Sequence, residues 1–86
     1  MIMTKKLLST ESSMSREEAA DKMRDLADKI AEGRVELKTQ NDSIELRPSA
    51  RVDFELEVEE EQDGDISIEV EIEWSGKAKS GDVEIN

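Results

Sequence analysis

The sequence predicts a small α+β domain, in which one amphipathic helix packs on one face of an antiparallel sheet of four to five strands. Apolar residues recur every three or four positions before Gly33 and at every second position after it, which indicates a change from helix to strand. Turn-rich stretches divide the second part into two hairpins, 34–47 and 51–74. A chain of 86 residues has room for one domain with a modest core.

The helix is predicted over residues 16–32. Ser15 and Glu18 match a capping box, in which the Ser15 side chain accepts from the Glu18 amide and the Glu18 side chain accepts from the Ser15 amide. Gly33 occupies the position where a left-handed residue ends a helix. The apolar stripe expected to face the core consists of Ala19, Met23, Leu26, Ala27 and Ile30.

Two hairpins follow the helix, and a further strand is predicted before it at residues 5–10. The first hairpin turns at 39–42, and Pro48 then interrupts the pattern because proline cannot donate to a strand ladder. The second hairpin has the longer strands, and its core face is expected to contain Val52, Phe54, Leu56, Val58, Ile66, Ile68, Val70, Ile72 and Trp74. The domain is predicted to span 1–75, with a flexible tail at 76–86.

Matching the apolar residues of the two long strands determines the register of the second hairpin. Residues directly opposite one another share a face, so partner numbers must add to an even number. A two-residue turn of Asp63 and Gly64 fails, because it sets Glu61 against Ile66. A three-residue loop, 62–64, with Gly64 left-handed in a bulge, satisfies the condition.

This register also places carboxylates opposite one another on the other face of the hairpin. The candidate acidic interaction face pairs Asp53 with Glu73, Glu55 with Glu71, and Glu57 with Glu69. Like charges directly opposite in a sheet are destabilising by up to about 1 kcal/mol per pair. Arg34, Lys38 and Arg47 on flanking strands are candidates to neutralise this face; otherwise salt or a ligand must relieve the repulsion.

Two interpretations of the acidic face stay open. It is either the solvated surface of a small interaction or structural module adapted to high ionic strength, or a surface that binds cations or a basic protein. Trp74 is expected to close the core at the end of the sheet, and the alternative is that it anchors an interface, including a homodimer.

Composition excludes several classes of function. The chain has no cysteine and no histidine, which removes disulfides, thiolate metal sites and the commonest general base. The net charge is −11, of which −10 lies in residues 51–86, so nucleic acid and anionic membranes are not expected partners. No apolar run reaches the length of a membrane span. We expect a cytoplasmic, non-enzymatic protein without cofactor or metal, whose partner is a basic protein or a second copy.

The assembled residues resemble the amphi-Trp domain family, which is named for an amphipathic strand that ends in tryptophan. The matching pieces are 13–18 and 26–28 in the helix, and 48–57 and 69–74 in the second hairpin. The resemblance covers residues 6–75 and leaves the tail outside. The family occurs often in salt-loving archaea, which agrees with an acidic protein adapted to high salt but does not test it. The family has no established activity, so the resemblance implies no site residues.

Overall fold

The structure is a computed structural model that describes residues 4–76. It contains one helix and four strands, which are α1 (Arg16–Glu32), β1 (Val35–Lys38), β2 (Ser43–Leu46), β3 (Asp53–Glu60) and β4 (Ile66–Glu73). β1 pairs with β2 and β3 pairs with β4, both in antiparallel orientation. The predicted α+β class, the helix and both hairpins are confirmed.

The arrangement of the strands differs from the predicted sheet of four to five strands. The hairpins form two separate two-stranded sheets within residues 4–76, and the predicted strand at 5–10 is not formed. Segment 5–10 places Leu7 and Leu8 side by side, so it lacks the alternation that gives a strand an apolar face. The chain divides into two compact units between Pro48 and Ser49, where the proline lacks the N–H group of a ladder. Apart from Gly76, the predicted tail lies outside the described residues.

Helix α1 begins with the predicted capping box. The Glu18 amide donates to Ser15 Oγ, and the Ser15 amide donates to the Glu18 carboxylate, each at 3.0 Å. The hydrogen bond from the Ser15 amide lowers the pKa of Glu18, and Ser15 Oγ and Lys22 act in the same direction. Gly33 ends the helix with a φ of 85°, and its amide donates to the Ile30 carbonyl. Among residues 4–76, no helix combines the length and the apolar character needed to cross a membrane.

The core of the first unit is centred on Val35, which is 2% exposed. Val35 lies opposite Leu46, and Leu37 lies opposite Ile44, so the four side chains share the face of the β1–β2 hairpin. Leu37, Ile44 and Leu46 are half-buried, and α1 contacts β1. This first hairpin therefore has an apolar face that is covered within its own unit.

The predicted apolar stripe of α1 is largely exposed, which corrects the expectation of a buried helix face. Of its five residues only Ile30 is half-buried, while Met23 is 55% and Leu26 is 38% exposed. A helix of 17 residues is about 25 Å long, whereas a four-residue strand is about 13 Å long. The first hairpin is therefore too short to cover the whole stripe.

Replacing Val35 by alanine should unfold the first unit more easily. The change removes two methyl groups from the most buried side chain and leaves a small cavity, at a cost of about 2 kcal/mol. Chemical denaturation followed by circular dichroism at the helix band measures this loss. Val52→Ala removes the same atoms from an exposed position and serves as the control; equal losses in the two variants would contradict the proposed core.

Removing the cap should fray α1 from its first turn. Ser15→Ala deletes the side-chain acceptor of the Glu18 amide, and a serine cap contributes about 1 kcal/mol to helix stability.

The Glu18 side of the cap should depend on pH. The pKa of Glu18 is lowered on folding, so the contribution of Glu18 to helix stability is present above the ordinary glutamate pKa and is lost as pH falls through the lowered value. The helicity difference between the wild type and Glu18→Gln should therefore shrink on acidification, and a difference that grows would contradict this assignment.

Candidate interaction surface

The second hairpin has the register predicted from the sequence. Asp53 lies opposite Glu73, Glu55 opposite Glu71, and Glu57 opposite Glu69, while Phe54 lies opposite Ile72 on the other face. Gly64 has a φ of 95°, and its amide donates to the Glu61 carbonyl at 2.8 Å, which closes the predicted turn. The Asp65 amide donates to the Asp63 carboxylate and stiffens the loop. The turn fixes the register, and the odd or even number of each residue then determines the face of the sheet on which its side chain lies.

The acidic face contains a seventh carboxylate that the sequence interpretation missed. Glu59 lies opposite Ser67 in the same row as Glu57, and its odd number was the signal that assigns it to this face. Glu57, Glu59 and Glu69 can bring one carboxylate oxygen each within 4.8 Å of one another. All seven are exposed, and Arg51 is the single lysine or arginine between residues 49 and 76. The interaction role assigned to this face stays a prediction.

The three clustered glutamates offer carboxylate oxygens but lack the convergent arrangement of a calcium site. Calcium takes six to eight oxygen ligands that converge on one point. Here the donors are three exposed side chains on one side of a flat sheet, and such acidic groups are common without an ion. Their spacing is therefore compatible with screening by mobile counterions.

The cations considered as neutralising partners for this face act within the first hairpin. Glu45 accepts from Arg34 Nε at 2.9 Å and from Arg47 at 2.7 Å, and Lys38 lies 3.9 Å from Glu36. The hydrogen bond from Arg34 is the main cause of the lowered pKa of Glu45. Glu36 and Glu45 lie directly opposite one another, so these cations relieve the like-charge pair of their own sheet.

The apolar face of the second hairpin is open to solvent, which corrects the expectation of a buried face. We define this apolar face as the even-numbered side chains of β3 and β4 from Phe54 to Val58 and from Ile66 to Ile72. The six most exposed members are between 42% and 71% accessible, namely Phe54, Leu56, Val58, Ile66, Ile68 and Val70. The physical reason is that residues 49–76 form a single two-stranded sheet and contribute no second layer to cover it.

Trp74 follows the last residue of β4 and is half-buried. Its even number continues the apolar face beyond the end of the strand. A half-covered indole at the end of an open apolar face fits both of the roles considered for it, as a core-closing residue and as an interface anchor. Its role as an anchor stays a prediction.

Relief of charge repulsion on the acidic face should stabilise the second hairpin at low salt. Glu57→Gln with Glu69→Gln removes a facing pair, and one such pair costs up to about 1 kcal/mol. Thermal unfolding should show the gain at about 0.1 M salt and lose most of it at about 1 M, where the screening length falls to about 3 Å. Glu11→Gln, which lies before α1 outside both ladders, is the control. A gain that persists at high salt would argue against electrostatic repulsion.

Comparison with known proteins agrees with these features. The family model of the Amphi-Trp domain matches residues 1–86, including the tail that lies outside the sequence resemblance described above. Neither the curated proteins nor the solved structures yielded a significant match. An amphipathic strand that alternates carboxylates with apolar residues and leads into Trp74 is present in β4. The chain belongs to the Amphi-Trp domain family.

Proposed function

We propose that the protein is a small, non-enzymatic interaction module that docks through the apolar face of its second hairpin. The acidic face on the reverse side stays in solvent and keeps the module soluble in a cytoplasm of high ionic strength. The observation that carries the proposal is the segregation of the two kinds of side chain, with an exposed apolar face behind an exposed row of carboxylates; among the paired residues, Glu60 is the one carboxylate on the apolar side, at the turn end.

The size and continuity of the apolar face support docking. Soluble monomers rarely expose contiguous apolar patches of more than a few hundred Å², and larger patches mark interaction sites. Phe54 and Ile72 form a directly opposed pair, as do Leu56 and Val70, and Val58 and Ile68. Cross-strand pairs of this kind make one continuous surface, and phenylalanine contributes a large contact area at a small entropic cost.

The charge distribution supports a function at high salt concentration. Seven carboxylates on a two-stranded sheet repel one another over about 10 Å at 0.1 M salt and over about 3 Å at 1 M. The hairpin is therefore held together best where salt is abundant. The same negative field repels nucleic acid and anionic membranes, which leaves proteins as the expected partners.

The arrangement gives little support to catalysis. No polar or charged residue among residues 4–76 is buried. Acid–base chemistry with paired carboxylates requires one carboxyl group in a water-poor pocket and a partner held across the substrate. The exposed and parallel carboxylates of the acidic face do not meet this requirement.

The alternative function is that the acidic face itself binds cations or a basic protein. The specific observation in its favour is the cluster of Glu57, Glu59 and Glu69. A calcium titration of the wild type, followed through the backbone amide signals of β3 and β4, tests this alternative. A stoichiometric response centred on these three residues would favour it over the apolar face.

A capture experiment separates the two faces. Tagged protein is incubated with its native cytoplasm at native salt, in parallel with two variants. The first carries Phe54→Ser and Ile68→Ser; the second carries glutamine at Glu55, Glu57, Glu69 and Glu71. We expect the second variant to retain a specific partner and the first to lose it by at least about tenfold, since buried aromatic anchors dominate interface energies. Both serine positions are exposed, so circular dichroism should stay unchanged.

The reverse pattern, with capture lost only in the glutamine variant, would transfer the function to the acidic face. Failure of all three proteins to capture a specific partner, including an untagged copy of the chain, would refute the interaction role.

A further inference from the structure

We infer that the occupant of the apolar face is a second copy of this chain, packed face to face as a two-fold β-sandwich. The inference rests on the proposed docking function and names its partner. Each copy would cover the other's apolar face, and both acidic faces would point outward into solvent.

The exposed apolar area reaches the lower end of the range that a stable dimer needs. The exposed fractions of Phe54, Leu56, Val58, Ile66, Ile68 and Val70 together amount to roughly 600 Å² per chain, against about 800 Å² per partner in a standard interface. Both strands have eight residues, so the hairpin is about 27 Å long. Its apolar face consists of aliphatic side chains and one phenylalanine, with Glu60 beyond it at the turn end. A two-fold interface uses the same patch on both copies, and this face is self-complementary in chemistry.

The distribution of charge along the hairpin selects the orientation of the second copy. The turn end carries Glu60, Glu61, Asp63 and Asp65, whereas Arg51 lies at the open end. Sheets in a sandwich keep their strands within about 30° of each other, which allows a parallel or an antiparallel arrangement. The antiparallel arrangement places each acidic turn over the partner's open end with Arg51, while the parallel arrangement stacks two acidic turns.

The acidic faces argue against the other ways in which two copies can meet. Edge-to-edge pairing would extend the rows of carboxylates across four strands and add further opposed glutamates. Face-to-face packing of the apolar sides keeps the two acidic rows apart by more than the sheet separation of about 10 Å. Salt at about 1 M screens charges over about 3 Å, so the remaining repulsion between the copies is small there.

This sign of the salt effect distinguishes a second copy from a basic partner. Two acidic chains associate more tightly as salt rises, whereas an acidic and a basic protein associate less tightly. Sedimentation equilibrium of the wild type should show the 9.7 kDa chain moving toward twice that mass with concentration, and more completely at about 1 M than at about 0.1 M salt. Phe54→Ser should raise the dimer dissociation constant at least about tenfold, and Glu55→Gln should not weaken it.

Cysteine cross-linking locates the interface in a chain that has no native cysteine. Ile68→Cys lies on the apolar face and Glu69→Cys on the acidic face, one residue apart. A short bis-maleimide should join two Ile68→Cys chains and leave Glu69→Cys chains single. Preferential joining of the Glu69→Cys chains would overturn the face assignment.

A monomer at every salt and concentration would overturn the second copy as occupant. The capture experiment then decides the docking function separately, because loss of a different partner in the Phe54→Ser and Ile68→Ser variant would leave that function standing. A monomer whose apolar-face amides exchange slowly would show a cover from within the chain and would refute both proposals.

Discussion

The structure of the second hairpin depends on the two-residue period of a β-strand. In an antiparallel pair, side chains that lie opposite one another share a face, so an alternating sequence on both strands puts apolar and acidic residues on opposite faces, with Glu60 at the turn end as the exception. The three-residue loop closed by left-handed Gly64 selects the register in which the even-numbered apolar residues meet. The same register necessarily sets glutamate against glutamate on the other side. The acidic row is therefore a consequence of matching the apolar residues. A register shift of one residue would not remove it without setting apolar residues opposite carboxylates.

The repulsion between directly opposed carboxylates is relieved differently in the two hairpins. In the first, Glu36 and Glu45 form one opposed pair, and Arg34, Arg47 and Lys38 lie beside it. These bridges are exposed and individually weak, but they cancel a local repulsion. In the second, three pairs are opposed along consecutive outward positions, and Arg51 is the one lysine or arginine between residues 49 and 76. Its charge can be balanced by solvent ions, which connects the stability of this unit to the salt concentration.

The two units also differ in how far their side chains are buried. The first hairpin covers Val35 almost completely, while no residue of β3 or β4 is buried. A two-stranded hairpin is marginally stable by itself, and any partner that binds only the folded form stabilises it by mass action. Under the proposed function, docking and stability of the second hairpin are thus one property: the contact that recognises the partner also supplies the missing layer of apolar packing.

The sequence by itself determined the local structure, because local structure follows from short-range rules. The cap at Ser15, the helix end at Gly33, both hairpins, the register of β3 with β4 and the opposed carboxylates were all predicted from spacing and turn chemistry. The resemblance to the family also came from these residues, above all from the strand that leads into Trp74, and the family model confirms it over residues 1–86.

Tertiary structure decided what those elements contact. Alternation says which side chains share a face, but burial depends on whether another layer lies against that face. The sequence therefore placed Phe54 and Leu26 in a core, whereas the structure leaves both exposed and centres the core on Val35. Arg34 was one of three candidates to neutralise the acidic face, and in the structure it pairs with Glu36 and Glu45 of its own hairpin, because ion pairing depends on which strands become neighbours and not on charge alone. Periodicity is a property of the chain, while burial and pairing are properties of the assembled fold.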